Sequence, residues 1–102
     1  MAASTHAGTD VMFRDALQPG PKLADADLIF TAGPLAGTRL VGFAVWNGRD
    51  GLNVSLPNRA FETQSGQTKR YDLIRTVDDS DFTGLKRLKQ WILDAYEATH
   101  RE

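Results

Sequence analysis

Cysteine is absent from this chain of 102 residues, so disulfide bonds and thiolate metal sites are excluded. The length allows one small domain, and the first part of the chain does not look foldable, so the core is smaller than the length suggests. A lone core in a chain shorter than about 80 residues seldom supplies more than about 3 to 5 kcal/mol of stability. Because disulfides are excluded, we expect the protein to gain stability by self-association as a homodimer.

Long apolar runs are also missing. No 18 uncharged apolar residues occur together, and the N-terminus lacks a basic start followed by an apolar stretch. We therefore expect a soluble, cytoplasmic protein without a membrane partner.

Neither sign of charge dominates, because the net charge is −1. This balance argues against a strongly basic nucleic-acid coat protein. The charges are unevenly distributed, however: residues 34–76 carry six cations against three acids, a surplus of +3, whereas residues 1–33 and 77–102 each carry −2. The middle of the chain is its basic part.

The first 24 residues are rich in Ala, Thr, Gly and Pro, a composition that predicts a flexible N-terminal tail. A single α+β domain is then expected over residues 25–102. The sequence QPGP at 18–21 would break a helix that begins before it. A short helix over residues 10–17, docked on the domain, stays open as an alternative.

Four segments after the tail predict β-strands. In the second of them, TRLVGFAVW, the alternation places Val41, Phe43 and Val45 on one face. On the other face, the small residues Gly42 and Ala44 leave room for a close neighbour, which we expect to be a helix. The four segments are ADLIFTA (26–32), TRLVGFAVW (38–46), LNVSLP (52–57) and KRYDLIRTV (69–77).

Turn-forming residues join the second and third of these strands. Asn47-Gly48 and Asp50-Gly51 each favour a tight β-hairpin turn, and the sequence does not decide between them. The third strand points Leu52, Val54 and Leu56 inward. Pro57 lacks an amide hydrogen and therefore ends the ladder, and residues 58–68 follow as a polar loop.

The last element is an amphipathic helix. Asp79 or Ser80 of the sequence DDSD can cap its free amide groups. Its apolar side is wide, with Trp91 and Leu93 at the margins. The elements together predict an α+β fold in which a small antiparallel sheet of about four strands carries one C-terminal helix on a face. Trp91 and Leu93 exceed what so small a sheet covers, so we expect them at the homodimer interface.

One stretch has a family likeness. The sequence GLNVSLPNR, followed by a polar loop with a glycine, a further strand and a helix containing WILDAYE, resembles the SpoVG family of small bacterial proteins over roughly residues 36–97. The matching residues include Pro57 and Arg59. The family loop often contains Pro-Asp-Gly, whereas this loop reads ETQSGQ.

The resemblance implies a dimeric, sequence-selective DNA-binding protein that acts in regulation, with Arg59 as a contact residue. The residues themselves add a physical argument, because Arg59, Lys69 and Arg70 bracket one loop. If that loop closes as a hairpin, the three cations form one positive rim, and Gln64 and Gln67 can reach phosphates or base edges. A merely solvated rim is the alternative. Phe61 and Tyr71 could stack on unpaired bases if exposed, or could belong to the core.

Other functional classes find less support. The two histidines, His6 and His100, have no partners at metal-ligand or catalytic-triad spacing. Asp78, Asp79 and Asp81 lack the glycine turn of a calcium loop, and their position explains them as capping residues. Lys86, Arg87 and Lys89 on the helix are a second candidate for phosphate binding, but local charge balance with these acids is the favoured explanation. We expect no enzyme activity, no cofactor and no metal, and a protein-interaction module without enzyme activity is the alternative to nucleic-acid binding.

Overall fold

The computed structural model describes the backbone of residues 2–100 and the side chains of residues 7–100. It confirms the α+β class, with antiparallel strands followed by one C-terminal helix. The elements are β1 (Ala2–His6), β2 (Thr9–Asp15), β3 (Lys22–Phe30), β4 (Arg39–Gly48), β5 (Gly51–Ser55), β6 (Asn58–Glu62), β7 (Thr68–Asp72) and α1 (Thr83–Thr99).

The first five strands form one antiparallel sheet in the order β1-β2-β3-β4-β5. Each strand pairs with its neighbour in sequence, so β1 and β5 are the edges. Strands β6 and β7 pair only with each other, as a separate two-stranded sheet. None of the helices among the described residues has both the length and the apolar character needed to cross a membrane.

The N-terminal tail expected over residues 1–24 is wrong, and so is the alternative helix over residues 10–17. Strands β1 and β2 occupy this segment, and Val11 is completely buried in the core. Main-chain hydrogen bonds hold a strand to its neighbour whatever its side chains, so a polar composition does not prevent pairing. The sequence QPGP lies in the connection between β2 and β3.

The core lies between one face of the large sheet and the helix. Helix α1 contacts β5, β1 and β2. Its buried side chains are those of Ile92, Ala95 and Tyr96. The sheet contributes Val11, Ala24, Ala26, Leu28, Phe43, Val45 and Val54, and Leu56 follows directly after β5.

A bulge in β4 changes the face predicted for one residue. Ala26 pairs with Phe43 and Leu28 with Leu40, so β4 contains one more residue than β3 over this interval. Leu40 therefore packs against the core together with Phe43, whereas Val41 is exposed. The expectation that Val41 shares the face of Phe43 is wrong for this reason.

Gly42 lies within this bulge at a φ of 109°. A Cβ atom at this position would lie 2.8 Å from Cβ of Pro57, which is buried. The close neighbour that Gly42 admits is thus Pro57, at the end of the third predicted strand, and not a helix. The Leu73 amide donates a hydrogen bond to the Pro57 carbonyl at 2.8 Å, so the chain that leaves the sheet at Pro57 returns to the same point.

The predicted hairpin between β4 and β5 is present. Gly48 pairs with Gly51, and the turn residues are Arg49 and Asp50, with the positive φ supplied by Gly51. Neither candidate dipeptide therefore fills both turn positions. Val54 and Leu56 are buried and Leu52 is half-buried against the core, as predicted.

The helix begins later than DDSD suggests. It starts at Thr83, and Phe82 holds the N-cap position without a side-chain capping bond, so the expected caps Asp79 and Ser80 are wrong. The Asp81 carboxylate accepts the Thr83 amide at 2.9 Å, and the Asp78 carboxylate accepts the Ser80 amide at 3.0 Å. The acids instead order the turn that precedes the helix.

At its other end the helix is tied to β2. The His100 ring stacks on Tyr96 with ring centroids 4.0 Å apart, and its Nε2 lies 3.5 Å from a carboxylate oxygen of Asp15. Tyr96 also packs edge-on against Phe13 at 5.4 Å. Burial raises the pKa of Tyr96, and the negative charge of Asp15 adds to this rise.

Candidate nucleic-acid interface

The region predicted as a polar loop is a β-hairpin. Residues 58–62 form β6, which pairs with β7, so the expectation of a loop over residues 58–68 is wrong for its first half. The strand expected over residues 69–77 ends at Asp72 and joins β6 alone. As expected for a residue without an amide hydrogen, Pro57 follows the end of the β5 ladder.

One face of this hairpin is cationic and aromatic. Arg59 pairs with Tyr71 and Phe61 with Lys69. Directly paired residues share a face, and so do residues two apart along a strand, so these four side chains form one surface. We call them the cationic-aromatic face. No acid of either strand lies on it, and it carries two positive charges.

The opposite face of the hairpin has a different character. Arg70 lies there, and its guanidinium donates a hydrogen bond to the side-chain oxygen of Asn58 at 3.0 Å. Glu62 and Asp72 share this face, so its net charge is −1. The single rim predicted from Arg59, Lys69 and Arg70 is therefore wrong in part, because strand alternation directs Arg70 away from the other two.

The cations of the cationic-aromatic face are open to binding. Among residues 7–100, no carboxylate lies within 4.0 Å of the Arg59 guanidinium or the Lys69 ammonium. Both side chains are exposed. Phe61 and Tyr71 are 42% and 44% exposed and meet edge to face, with ring centroids 5.4 Å apart. A ligand could reach both charges and both rings from solvent.

The turn of the hairpin presents amide side chains. The Thr63 amide donates to the Gln67 carbonyl at 2.8 Å, and the Thr63 hydroxyl accepts the Gln67 amide at 3.2 Å. Gly66 supplies a positive φ within this turn. Gln64 and Gln67 are exposed, and neither side chain has a hydrogen-bond partner within the part of the chain that the structure describes. Both predicted polar contacts thus lie at the tip.

The hairpin projects from the rest of the domain. All ten residues of β6 and β7 are exposed. The Cα radius of gyration is 14.9 Å, whereas a compact domain of this length has about 13 Å. A two-stranded hairpin without a core is marginally stable by itself. The two faces of the hairpin are therefore accessible to solvent.

The charges around the helix start serve local structure. Hydrogen bonds from Ser80 and from Thr83 lower the pKa values of Asp78 and Asp81 respectively, and the charge of Arg87 adds a smaller effect on Asp81. The guanidinium of Arg75 lies 3.2 Å from Asp79. Among the described residues, no three His, Asp or Glu side chains are grouped as metal ligands would be.

The two residues expected at a dimer interface lie on α1. Trp91 and Leu93 are half-buried, and both pack against the core of their own chain. Apolar side chains with a larger exposed fraction occur elsewhere, among them Leu73, Val77 and Phe82, which follow the hairpin. A role for Trp91 and Leu93 in self-association stays a prediction.

The pairing of the two aromatic residues with the two cations was not predicted from the sequence. Their common face depends on the hairpin register, which a turn over residues 63–67 sets. Had that turn been recognised from Gly66 and its polar neighbours, alternation would have placed Arg59, Phe61, Lys69 and Tyr71 together.

A scan against models of known protein families and a search of curated proteins each found no match to this chain. The resemblance to the SpoVG family therefore stays a prediction.

Proposed function

We propose that the protein is a small dimeric regulator, without enzyme activity, that binds nucleic acid, in the first place DNA, through its β6–β7 hairpin. One observation carries the proposal: the hairpin separates its charges, with two unpaired cations and no acid on the cationic-aromatic face. Phosphates dominate the affinity of nucleic-acid complexes, and a surface of one sign favours them.

The remaining geometry supports the same function. All ten residues of β6 and β7 are exposed, so a ligand could reach the hairpin from solvent. Gln64 and Gln67 at its tip offer donors and acceptors for phosphates or base edges. In a dimer, two hairpins would supply four cations on their cationic-aromatic faces.

The test is a binding titration over a range of salt concentrations. Labelled short DNA, single-stranded and duplex, is titrated with the protein from about 50 to 200 mM salt. We expect binding that weakens as salt rises. On single strands, Arg59→Ala with Lys69→Ala should lower the slope of log K against log salt by about 1.4 per hairpin, because each lost phosphate contact removes about 0.7.

The matched control is Arg70→Ala, on the opposite face of the same strands, which should change the slope much less. Lys86→Ala with Lys89→Ala serves as a second control on the helix. No affinity at about 50 mM salt, or an affinity that salt does not change, contradicts the proposal. A loss of binding only in the helix variant would move the site to α1.

Dimerisation is tested separately. Sedimentation of the 11.2 kDa chain at two concentrations should show a species of twice that mass. A mass of one chain at both concentrations would contradict this part of the proposal and leave the binding site untouched.

A second function, as a protein-interaction module, is favoured by a specific observation. Leu73, Val77 and Phe82 expose apolar surface next to the base of the hairpin. Such surfaces mark sites of protein contact when they are contiguous. If this function holds, Leu73→Ser with Val77→Ser should abolish association with the partner protein, and raising the salt concentration should not.

A further inference from the structure

We infer that the cationic-aromatic face takes unpaired bases, so that the ligand of this protein is a single strand, with Phe61 and Tyr71 as stacking residues. This inference rests on the proposed function and adds to it the class of nucleic acid. It begins from the two rings, which are exposed side by side on strands rather than in flexible loops.

The rings serve no core of their own chain. Every residue of β6 and β7 is exposed, and neither ring belongs to the hydrophobic core, although Tyr71 borders a cleft that Phe82 and Leu85 also line. The ring contact at 5.4 Å stabilises the hairpin in part. It still leaves 42% of Phe61 and 44% of Tyr71 accessible to solvent. A flat ligand that covers these ring surfaces would gain the free energy of removing them from water, because the domain itself leaves them exposed.

Cations and rings alternate in both directions on this face. Along β6, Arg59 is followed two residues later by Phe61, and along β7, Lys69 is followed by Tyr71. Across the hairpin each ring is directly opposite a cation. Directly opposite Cβ atoms are about 5 Å apart and same-face neighbours along a strand about 7 Å. A base stacked on either ring would therefore hold its phosphate near a positive charge.

Stacking distinguishes single strands from a duplex. In a duplex the flat surfaces of the bases are covered by their neighbours, and only their edges are open in the grooves. Bases of a single strand can turn out and lie on aromatic rings, which tolerate any base. A two-stranded ribbon can enter the major groove, where Arg and Lys read base edges, but two exposed rings find no open base surface to stack on there. The rings, rather than the cations, therefore match the unpaired strand.

The experiment compares four ligands of equal length on the full chain: single-stranded DNA, RNA of the same sequence, the matched DNA duplex, and a DNA strand that lacks its bases. The strand without bases keeps the phosphates and removes stacking. We expect both single strands to bind more tightly than the duplex and the strand without bases. DNA and RNA differ only if the protein contacts the 2′-hydroxyl.

Variants assign the effect to the rings. Phe61→Leu and Tyr71→Leu should each weaken single-strand binding by about 5- to 150-fold and should leave binding of the strand without bases unchanged. Tyr71→Phe keeps the ring and should bind as the parent does. Leu35→Ala removes an exposed apolar side chain from the connection between β3 and β4, outside the hairpin, and is the control.

The outcomes separate the two proposals. Equal or tighter binding of the duplex, with no effect of Phe61→Leu or Tyr71→Leu, overturns the single-strand inference while nucleic-acid binding stands. Equal binding of the strand without bases also overturns it. An absence of binding to all four ligands at about 50 mM salt overturns both.

Discussion

Gly42→Ala tests how the hairpin is anchored to the large sheet. Two costs can be read from the structure. A φ of 109° is strained for alanine, which costs about 1 to 3 kcal/mol. The added Cβ would also lie 2.8 Å from Cβ and 3.3 Å from Cα of the buried Pro57. Overpacking of this kind costs about 1 to 3 kcal/mol more.

We therefore expect Gly42→Ala to lower the free energy of unfolding by about 2 to 6 kcal/mol, a large part of the 5 to 15 kcal/mol typical of such proteins. Urea denaturation measures this change. Gly33→Ala is the control, because Gly33 has a φ of 76° and no atom within 4 Å of an added Cβ. It should show the backbone cost alone.

Exchange of the Leu73 amide hydrogen gives a local measure of the same anchor. This amide donates to the Pro57 carbonyl, so a displaced Pro57 should make its exchange faster in Gly42→Ala than in Gly33→Ala. If the two variants unfold at the same urea concentration, the reasoning from the contact between Gly42 and Pro57 is refuted.

Two further predictions concern the domain. Asp27 is 2% exposed, and the guanidinium groups of Arg14 and Arg39 bind its carboxylate at 2.7 Å and 3.3 Å. Asp27→Asn should lower the free energy of unfolding, measured by urea denaturation, by about 1 to 3 kcal/mol. The carboxylate of Asp25 is partly exposed, so an equal or larger cost of Asp25→Asn would be evidence against this role of Asp27. The raised pKa of Tyr96 favours the neutral phenol, so its contribution to stability is complete below the unfolded value of 10.0 and is lost as pH rises through the higher folded value. Stability should thus fall more at alkaline pH in the parent than in Tyr96→Phe, and parallel pH profiles would contradict the burial of this ring.

The sequence predicted the elements whose patterns are local. The helix has an apolar stripe at its own period, and the hairpin of β4 and β5 joins two alternating strands through turn residues. Both are present in the structure. The N-terminal strands were missed because main-chain pairing, not side-chain pattern, forms most of β1 and β2, and only Val11 among their described residues is fully buried.

The candidate interface was predicted only in part, because its faces depend on register. The sequence located the basic segment, but the face of each cation follows from which residues pair across the hairpin. Arg70 is adjacent to Lys69, and alternation therefore sends the two to opposite faces. The single extra residue in the β4 bulge similarly places Leu40, instead of Val41, on the same face as Phe43. A register shift of one residue moves every side chain of a strand to the opposite face, and composition does not reveal such shifts.

The central claim is that ligands bind the cationic-aromatic face of the hairpin. Two-dimensional amide NMR spectra, recorded as single-stranded DNA is added at low salt, test this claim most directly. Signals of residues 58–72 should shift first and furthest, with those of Phe61 and Tyr71 among them. Shifts confined to α1 around Lys86 and Lys89, with the hairpin signals unmoved, would contradict the account.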